Sequence, residues 1–418
     1  MWNLHFNFLM KSDIIQFLFR RLVFLNDQRI TRPVVNLCIL AVVISVAVMI
    51  VSICVLRGFQ IGIKEKTVAF AGHIQLNSYD NVNAFETRPI HIDSSWLIPL
   101  KQLDEVRHVQ KFSLKPCILK SGENIIGCLL KGIDLDFDSS FFDKYLIEGR
   151  SISFSQDSLP YEVVISQKIA EKLNLKTGDN IFTYFIQQPP LVRKFKIVGI
   201  YRTGLSLTDE KIILCNHRHL EKLNKWPSGQ ATGIEVHLKD FSNKTIKRSM
   251  DKISQIVPYD IQILEVNKKF PEIFNWLELQ DMNVIIILIL MTAVASINII
   301  SALLIMMIEK TQFIGIMKAM GARSSLLFRL FLLQGMYITA KGLVWGNIVG
   351  LTVCIIQYLF KPLKLNPEMY YLDAVPVEFP WLEIFMINLF TTVIIALIIF
   401  LPLLMIKKIS PVKAIKFD

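Results

Sequence analysis

Residues 282–308 read MNVIIILILMTAVASINIISALLIMMI, a run of 27 residues without a charged side chain. A helix of about 20 apolar residues is long enough to cross the ~30 Å hydrocarbon core of a bilayer. Three further windows contain no Asp, Glu, Lys or Arg: residues 34–56, 342–360 and 384–406. The four windows predict an integral membrane protein with a bundle of four transmembrane helices.

The composition of the chain agrees with that prediction. Hydrophobic residues make up 52% of the 418 and charged residues only 19%, whereas soluble domains carry roughly 25% charged residues. The first window is also longer than the apolar core of a cleaved secretory signal, which has about 7–15 residues. A purely soluble enzyme is therefore excluded.

Basic residues flank the windows unevenly, which predicts the orientation of the chain in the membrane. Thirteen Lys and Arg residues, but only four acidic ones, lie in residues 1–33, 309–329 and 407–418. Because basic flanks stay in the cytoplasm, both termini and the 309–329 loop are expected there. The formal charge of +11 then reflects topology and contact with anionic lipid, and no nucleic-acid partner is expected.

These observations divide the chain into nine segments. Residues 57–281 are long enough for one or two folded domains. The predicted order is an amphipathic cytoplasmic segment 1–33, transmembrane helix 34–56, an outer domain 57–281, transmembrane helix 282–308, a cytoplasmic coupling helix 309–329, transmembrane helix 330–360, an outer loop 361–383, transmembrane helix 384–406 and a cytoplasmic tail 407–418.

The outer domain is predicted to be mixed α/β. Ser166 is expected to cap a short helix, and residues 240–257 have the spacing of an amphipathic helix. Alternating apolar residues predict a hairpin over 116–132 and strands at 72–76, 161–165, 180–186, 194–200, 234–238 and 260–266.

The predicted hairpin brings two cysteines together. If Gly122 and Glu123 form its tip, Cys117 lies directly opposite Cys128. Opposed strand residues are about 5.5 Å apart at Cα, which is within disulfide range. A disulfide in an oxidising exterior and two unbonded small strand residues are both compatible with this register.

Several kinds of chemistry have no sequence signature here. None of the glycines is followed by Lys, so the chain has no nucleotide-binding P-loop. The H-E-x-x-H and G-x-S-x-G motifs are also missing. We therefore expect no catalytic residue, no metal site and no resident cofactor. Lys341, at the start of the third window, is expected to extend toward the cytoplasmic surface.

Small residues recur at helical spacing in three of the windows. Gly342, Gly346 and Gly350 form a small-xxx-small ridge, the pattern that lets two membrane helices approach closely. Weaker versions include Ala41 and Ser45 in the first window and Ser296 in the second. Such a ridge packs either within one chain or at a dimer seam; we take it to fit a protein that pairs.

The 309–329 loop has the most specific pattern. It begins Glu309-Lys310-Thr311-Gln312-Phe313-Ile314-Gly315-Ile316-Met317-Lys318-Ala319-Met320-Gly321-Ala322. Ile314, Met317, Met320 and Phe328 are placed on one side at helical spacing, which predicts a short amphipathic helix that docks into a partner's groove.

This loop resembles the signature E-K-T-x-x-I-G-I-x-x-A-x-G-A of the FtsX/MacB/LolC–LolE superfamily of ABC-transporter permeases. The similarity continues in family order through the outer domain to the tail. The matching segments are Gly132-Ile133-Asp134, Glu148-Gly149-Arg150, Gly178-Asp179-Asn180-Ile181, Val198-Gly199-Ile200 and Ser410-Pro411-Val412.

The resemblance implies a MacB-type periplasmic core domain and a multi-pass protein of the bacterial inner membrane. It also implies that a separate cytoplasmic ATPase dimer binds ATP and Mg²⁺ and grips the coupling helix. The coupling residues would be Glu309, Lys310, Thr311, Ile314, Gly315, Met317, Lys318, Ala319, Gly321 and Ala322. A charge placed at Gly315 or Gly321 would then uncouple ATP hydrolysis without unfolding the chain.

The function implied by the resemblance depends on the branch of the superfamily. LolC and LolE extract lipoproteins from the inner membrane and pass them to a periplasmic chaperone. The resemblance implies that this chain pairs with a second permease, either another copy of itself as a homodimer or a paralogue. Other branches export small molecules or peptides, or control a cell-wall hydrolase. One departure concerns the long hairpin by which LolC grips the chaperone, because only Gln187-Gln188-Pro189-Pro190-Leu191 lies at the matching tip here.

Overall fold

A computed structural model describes residues 31–79, 88–154, 159–187 and 189–403. The predicted amphipathic segment before residue 31, the tail after residue 403 and Gln188 at the hairpin tip lie outside the described residues. The chain divides into two compact units. The helical unit takes in residues up to 59, residues 277–363 and residues from 375 onward, and the outer unit takes in residues 60–276 and 364–374.

The helices and strands, in chain order, are α1 (Thr31–Ala71), β1 (Ile74–Ser78), β2 (Ile90–His91), α2 (Ser94–Lys101), β3 (Val106–Ser121), β4 (Asn124–Ile133), α3 (Ser140–Tyr145), β5 (Leu146–Gly149), β6 (Glu162–Ser166), α4 (Gln167–Leu173), β7 (Asn180–Phe185), β8 (Leu191–Tyr201), α5 (Ser206–Asp209), β9 (Ile212–Asn216), α6 (His217–Asn224), β10 (Gln230–Ala231), β11 (Gly233–Leu238), α7 (Asn243–Ser254), β12 (Ile261–Glu265), α8 (Val266–Lys269), α9 (Pro271–Glu309), α10 (Thr311–Ala319), α11 (Ser324–Phe360), α12 (Pro367–Tyr370) and α13 (Trp381–Leu403).

Four helices in the described part of the chain are long and apolar enough to cross a membrane. Each overlaps one of the four uncharged windows, and their spans are Val35–Ala71, Pro271–Glu309, Ser324–Phe360 and Trp381–Pro402. Three of these helices are much longer than the ~20 residues that a bilayer requires. They pack around an apolar core that includes Val46, Ile299, Leu303, Phe331 and Ile399.

The glycine ridge of α11 packs against α1 of the same chain. A methyl group at Gly342 would lie 2.4 Å from Val42 Cγ1, and one at Gly346 would lie 2.7 Å from Val46 Cβ. At Gly350 the nearest atom is Ala47 Cα, at 3.1 Å. Of the two arrangements that the sequence left open for this ridge, the structure shows packing within one chain at all three glycines.

The other predicted packing residues lie in the same helical unit. Ser45 is buried and Ala41 is half-buried. Ser296 is also buried, and its hydroxyl donates to the Thr292 carbonyl at 2.7 Å, within its own helix. Lys341 is exposed and its Nζ lies 4.7 Å from the centre of the Tyr337 ring, one turn toward the N-terminal end of α11.

The outer unit is built around a ten-stranded sheet with the order β12-β1-β11-β3-β4-β9-β6-β8-β5, in which β7 pairs with both β3 and β8. Ser166 caps α4, as predicted, by accepting a hydrogen bond from Ile169 N at 3.1 Å. The hairpin tip connects β7 to β8 over residues 186–190, so the connection is short.

The β3–β4 hairpin has the predicted register. Ser121 pairs with Asn124, and Cys117 pairs with Cys128. Both cysteines are buried and are free thiols in the structure, so the disulfide is not present. Burial raises the pKa of Cys117 above its ordinary value and that of Cys128 to about 12, which disfavours the thiolate needed for disulfide exchange.

Residues 364–374, between α11 and α13, pack with the outer unit. The Lys66 ammonium donates to the carbonyls of Thr203 at 2.5 Å and Tyr371 at 2.8 Å. Arg202 pairs with Asp373 at 2.6 Å. This short segment is therefore part of a domain whose other residues are distant from it in sequence.

Two buried histidines face each other across β1 and β11. His73 Nδ1 accepts a hydrogen bond from Leu238 N at 3.0 Å, and the rings of His73 and His237 are 6.4 Å apart. Desolvation is the largest cause that lowers the pKa of each histidine from 6.5 to about 3, and the neighbouring charges of Arg107 add to it. Both histidines are therefore neutral in the folded protein at pH 7.

The first prediction concerns the glycine ridge. We expect Gly346→Val to destabilise the helical unit by about 1–3 kcal/mol, because the added carbons overlap Val46. Unfolding in a denaturing detergent titration would measure the loss. Ala340→Val, at an exposed position of the same helix, is the control and should change little. Unchanged unfolding of Gly346→Val with weakened self-association would favour the dimer seam instead.

The second prediction concerns acid stability. Because the folded pKa values of His73 and His237 lie below 6.5, stability is complete above pH 6.5 and decreases as the pH falls toward 3. The slope is at most about 1.4 kcal/mol per pH unit for each histidine. Chemical denaturation of the full chain at pH 7.5 and 5.5 would measure it.

The matched variants replace the titrating rings. His73→Asn keeps a hydrogen-bond acceptor for Leu238 N. His237→Leu places an apolar side chain that cannot be protonated at a buried position. The double variant should lose most of the difference between the two pH values, whereas the exposed-site variant His91→Asn should keep it. An unchanged pH dependence in the double variant contradicts the assignment.

Candidate functional site

The 309–329 segment forms a nine-residue helix, α10, between the two long helices α9 and α11. Helix α9 ends at Glu309, and the Thr311 hydroxyl donates to the Ile308 carbonyl at 2.7 Å. After Ala319, Gly321 adopts a φ of +87°, which lets the chain turn toward α11. Two breaks therefore isolate α10 as a separate element.

One face of α10 packs on the helical unit. Ile314 is fully buried in the same apolar core as Leu327 and Phe331, and Gly315 beside it is also buried. Phe313 and Met317 are half-buried against that core. This face fixes the orientation of α10 and is not available to a partner.

The opposite face of α10 is exposed. Gln312, Ile316, Ala319 and Met320 form a stripe at intervals of three and four residues. Ile316 is 51% exposed and Met320 is 79% exposed. We call these four residues the outer stripe of α10. Ile316 and Met320 make the stripe partly apolar.

The structure corrects the predicted docking side. At 3.6 residues per turn, Ile316 lies about 200° from Ile314, and Met320 lies about 120° from it. Ile314 and Met317 accordingly face the core, while Met320 is exposed beyond the end of α10. Phe328 belongs to α11 and packs against Phe400 at 5.3 Å. Met320 and Phe328 do not continue the face formed by Ile314 and Met317, because α10 ends at Ala319.

Of the residues that the resemblance identifies as coupling residues, the structure exposes only some. Glu309, Ala319 and Gly321 are exposed, whereas Lys310, Thr311, Met317, Lys318 and Ala322 are half-buried. Ile316 and Gln312, which were not among the predicted coupling residues, are exposed on α10. Among the described residues, no group of three or more His, Cys, Asp or Glu is arranged to hold a metal ion.

Two family models match the chain. A model described as MacB-like periplasmic core domain matches residues 37–256, and one described as FtsX-like permease C-terminal matches residues 285–411. The first match covers more than half of the chain. The second includes α10 and its outer stripe.

Three curated proteins illustrate the similarity over most of the chain. The lipoprotein-releasing system transmembrane protein LolE of Haemophilus influenzae is 23% identical over 83% of this chain and 86% of that protein. A protein named LolC from Buchnera aphidicola is 24% identical over 85% and 86%. One named LolC from Xylella fastidiosa is 20% identical over 91% and 93%.

Among solved structures, the periplasmic region of MacB from Actinobacillus actinomycetemcomitans aligns with a TM-score of 0.33 and 17% identity. The alignment covers 50% of this chain and 96% of that one.

The third prediction compares two adjacent residues of α10. We expect Gly315→Asp to destabilise the chain by several kcal/mol, because it places a charge in the core. Ile316→Asp should change stability by no more than about 0.5 kcal/mol, because the side chain is exposed. Thermal unfolding and the yield of monodisperse protein would measure both. Equal effects of the two substitutions would show that α10 is oriented differently.

Gly321→Asp is also unsuitable as a test of coupling alone. A side chain at φ +87° is strained even though no neighbouring atom lies within 4 Å. Charges at Gly315 and Gly321 are therefore expected to disturb the fold. Substitutions on the outer stripe are the better test of coupling.

Proposed function

This chain belongs to the family of FtsX-like permeases with a MacB-like periplasmic core domain, and we propose that it is the membrane subunit of an ABC transporter that releases lipoproteins from the bacterial inner membrane. The observation that carries the proposal is the end-to-end similarity to proteins named LolC and LolE, which spans 83–91% of the chain in the three examples given above.

The proposed topology puts both termini and α10 in the cytoplasm and the outer unit in the periplasm. The excess of Lys and Arg around residues 309–329 supports this orientation. So does the description of the model that matches residues 37–256 as a periplasmic core domain. The protein is a multi-pass membrane protein, and the four apolar helices found among the described residues correspond to an even number of crossings.

The proposed energy source is a separate ATPase dimer that binds ATP and Mg²⁺. The chain itself has no P-loop. The outer stripe of α10 supports contact with such a partner, because Ile316 and Met320 would be desolvated in a groove of the ATPase. The buried face would transmit the resulting force, since Ile314 is part of the apolar core of the helical unit.

Helix α9 is the proposed mechanical link from α10 toward the periplasmic side. It is continuous over 39 residues and ends one residue before α10, so a displacement of α10 acts directly on its end. Closure of the ATPase dimer would thus move helix ends rather than open a pore. This is the mechanism we propose for lifting a lipoprotein out of the membrane.

The second permease is proposed to be a paralogue with a longer β7–β8 hairpin. Here the connection between β7 and β8 spans only residues 186–190, which leaves little chain for gripping a periplasmic chaperone. In such a pair, this chain would supply one coupling helix and one outer unit, and its partner would receive the chaperone.

The fourth prediction tests the substrate. Depletion of the protein, followed by separation of inner and outer membranes, should strand lipoproteins in the inner membrane. The wild-type chain should restore sorting, and Ile316→Asp should not, because it places a charge on the outer stripe. Tyr259→Asp, at a fully exposed residue of the outer unit, is the matched control and should restore sorting.

Two other outcomes are informative. Normal sorting after depletion would reject lipoprotein release and leave export of small molecules or control of a hydrolase. Full rescue by Ile316→Asp would reject the outer stripe as the ATPase contact. With the purified complex, Ile316→Asp should also lower transporter ATPase activity at least about tenfold, the effect of losing about 1.4 kcal/mol of coupling.

A further inference from the structure

A cavity of about 300 Å³ lies in the outer unit, beside the end of α1 and the start of α9. Its apolar wall includes Phe70, Phe112, Ile212 and Phe270. Charged side chains of Lys131, Lys211, Lys269, Glu235 and Glu272 also line it. A cavity of this size, with aromatic walls and a few converging charges, has the character of a small-ligand site.

A buried ion pair forms one end of the cavity. Lys131 and Glu235 are 2% and 1% exposed, and the Lys131 ammonium donates to Glu235 Oε1 at 2.7 Å. Lys131 also donates to the Phe70 carbonyl at 2.5 Å. The side-chain amides of Gln110 and Gln75 donate to the two oxygens of Glu235. Both oxygens of the Glu235 carboxylate therefore already accept hydrogen bonds from the protein.

Lys269 adds a second ammonium group to this cluster. Its Nζ donates to Gln75 Oε1 at 2.6 Å and lies 5.8 Å from the centre of the Phe112 ring and 6.0 Å from that of Phe270. Lys269 is exposed as a residue, and its ammonium lies next to Gln75 and the two aromatic rings. Among the ion pairs of the described residues, none joins Lys269 to a carboxylate within 4 Å.

The cluster thus holds two cations and one anion. Desolvation lowers the pKa of Lys269 to about 8, and the neighbouring Lys131 lowers it further, against the opposing effect of Glu235. Including Lys211 and Glu272, the cavity lining carries three positive and two negative groups. An ion pair that served only to stabilise the fold would not require the additional ammonium.

We propose that this cavity binds a small organic anion, whose carboxylate or phosphate pairs with Lys269 and whose apolar body contacts Phe70, Phe112 and Phe270. A charge-assisted hydrogen bond from the Lys269 ammonium provides the specificity for an anionic head. The aromatic wall selects against inorganic ions, which have no apolar surface. The inference does not depend on lipoprotein release.

The experiment uses the full chain in lipid nanodiscs at pH 7. The probe is 4-fluorobenzoate, followed by ¹⁹F NMR titration, and its neutral counterpart is 4-fluorobenzamide. The anion should bind with a Kd of about 1 mM or below, a modest affinity for so few contacts. The amide, which has nearly the same shape, should bind at least about tenfold more weakly.

Two matched variants localise the binding. Lys269→Met keeps the length and apolar character of the side chain but removes its charge, and should weaken binding of the anion at least about tenfold. Lys268→Met removes the same charge from the preceding residue, which is exposed and does not line the cavity. It should leave binding unchanged, which excludes a general loss of positive charge.

A third variant covers the case in which Lys269→Met does not fold. Leu114→Trp would fill the cavity from its apolar side without changing a charge, and should also abolish binding. Failure of the anion to bind the wild-type chain, equal binding of the amide, or full binding by Leu114→Trp would each overturn the proposal.

Discussion

Hydrocarbon offers no hydrogen-bond partner to a backbone N–H or C=O group, and the architecture of the helical unit depends on this constraint. Helices α1, α9 and α11 continue through their uncharged windows, and α13 continues through the described part of the fourth, to Leu403. The helical pattern breaks at Lys310, at residues 320–323 and between Phe360 and Trp381. Each break lies outside a window, so α10 occurs where the backbone again has access to polar groups.

The close approach of α1 and α11 has a consequence for assembly. Because Gly342, Gly346 and Gly350 contact α1 of the same chain, the small residues of α11 are not available for a second permease. A second permease of the kind proposed would have to contact larger side chains on other faces, where packing and interhelical hydrogen bonds take the place of backbone contact. The Asn347–Asn388 pair shows such a bond within this chain, between α11 and α13, at 2.7 Å.

Features that depend on a short stretch of neighbouring residues could be predicted from the sequence. Missing charges located the membrane helices, and the turn at Gly122 set the register of Cys117 and Cys128. Three features depended on information that is not local. The sequence could not predict which helix the glycine ridge of α11 packs against, because that depends on how the helices are arranged. The residues of the outer stripe could not be identified without knowing that the helix ends before Gly321. The cavity beside Lys269 brings together residues from eight helices and strands, which no periodicity reveals.

Residues 364–374 limit how this protein can be divided or recombined. A gene fragment encoding only residues 60–276 would omit the Tyr371 carbonyl that Lys66 binds and the Asp373 carboxylate that Arg202 binds. Such a fragment would expose polar groups that are matched in the intact chain. The outer unit is thus discontinuous in sequence, and exchanging it between relatives by a single crossover on each side would separate it from its own final segment. Variation in residues 60–276 is constrained by a segment encoded almost ninety codons downstream.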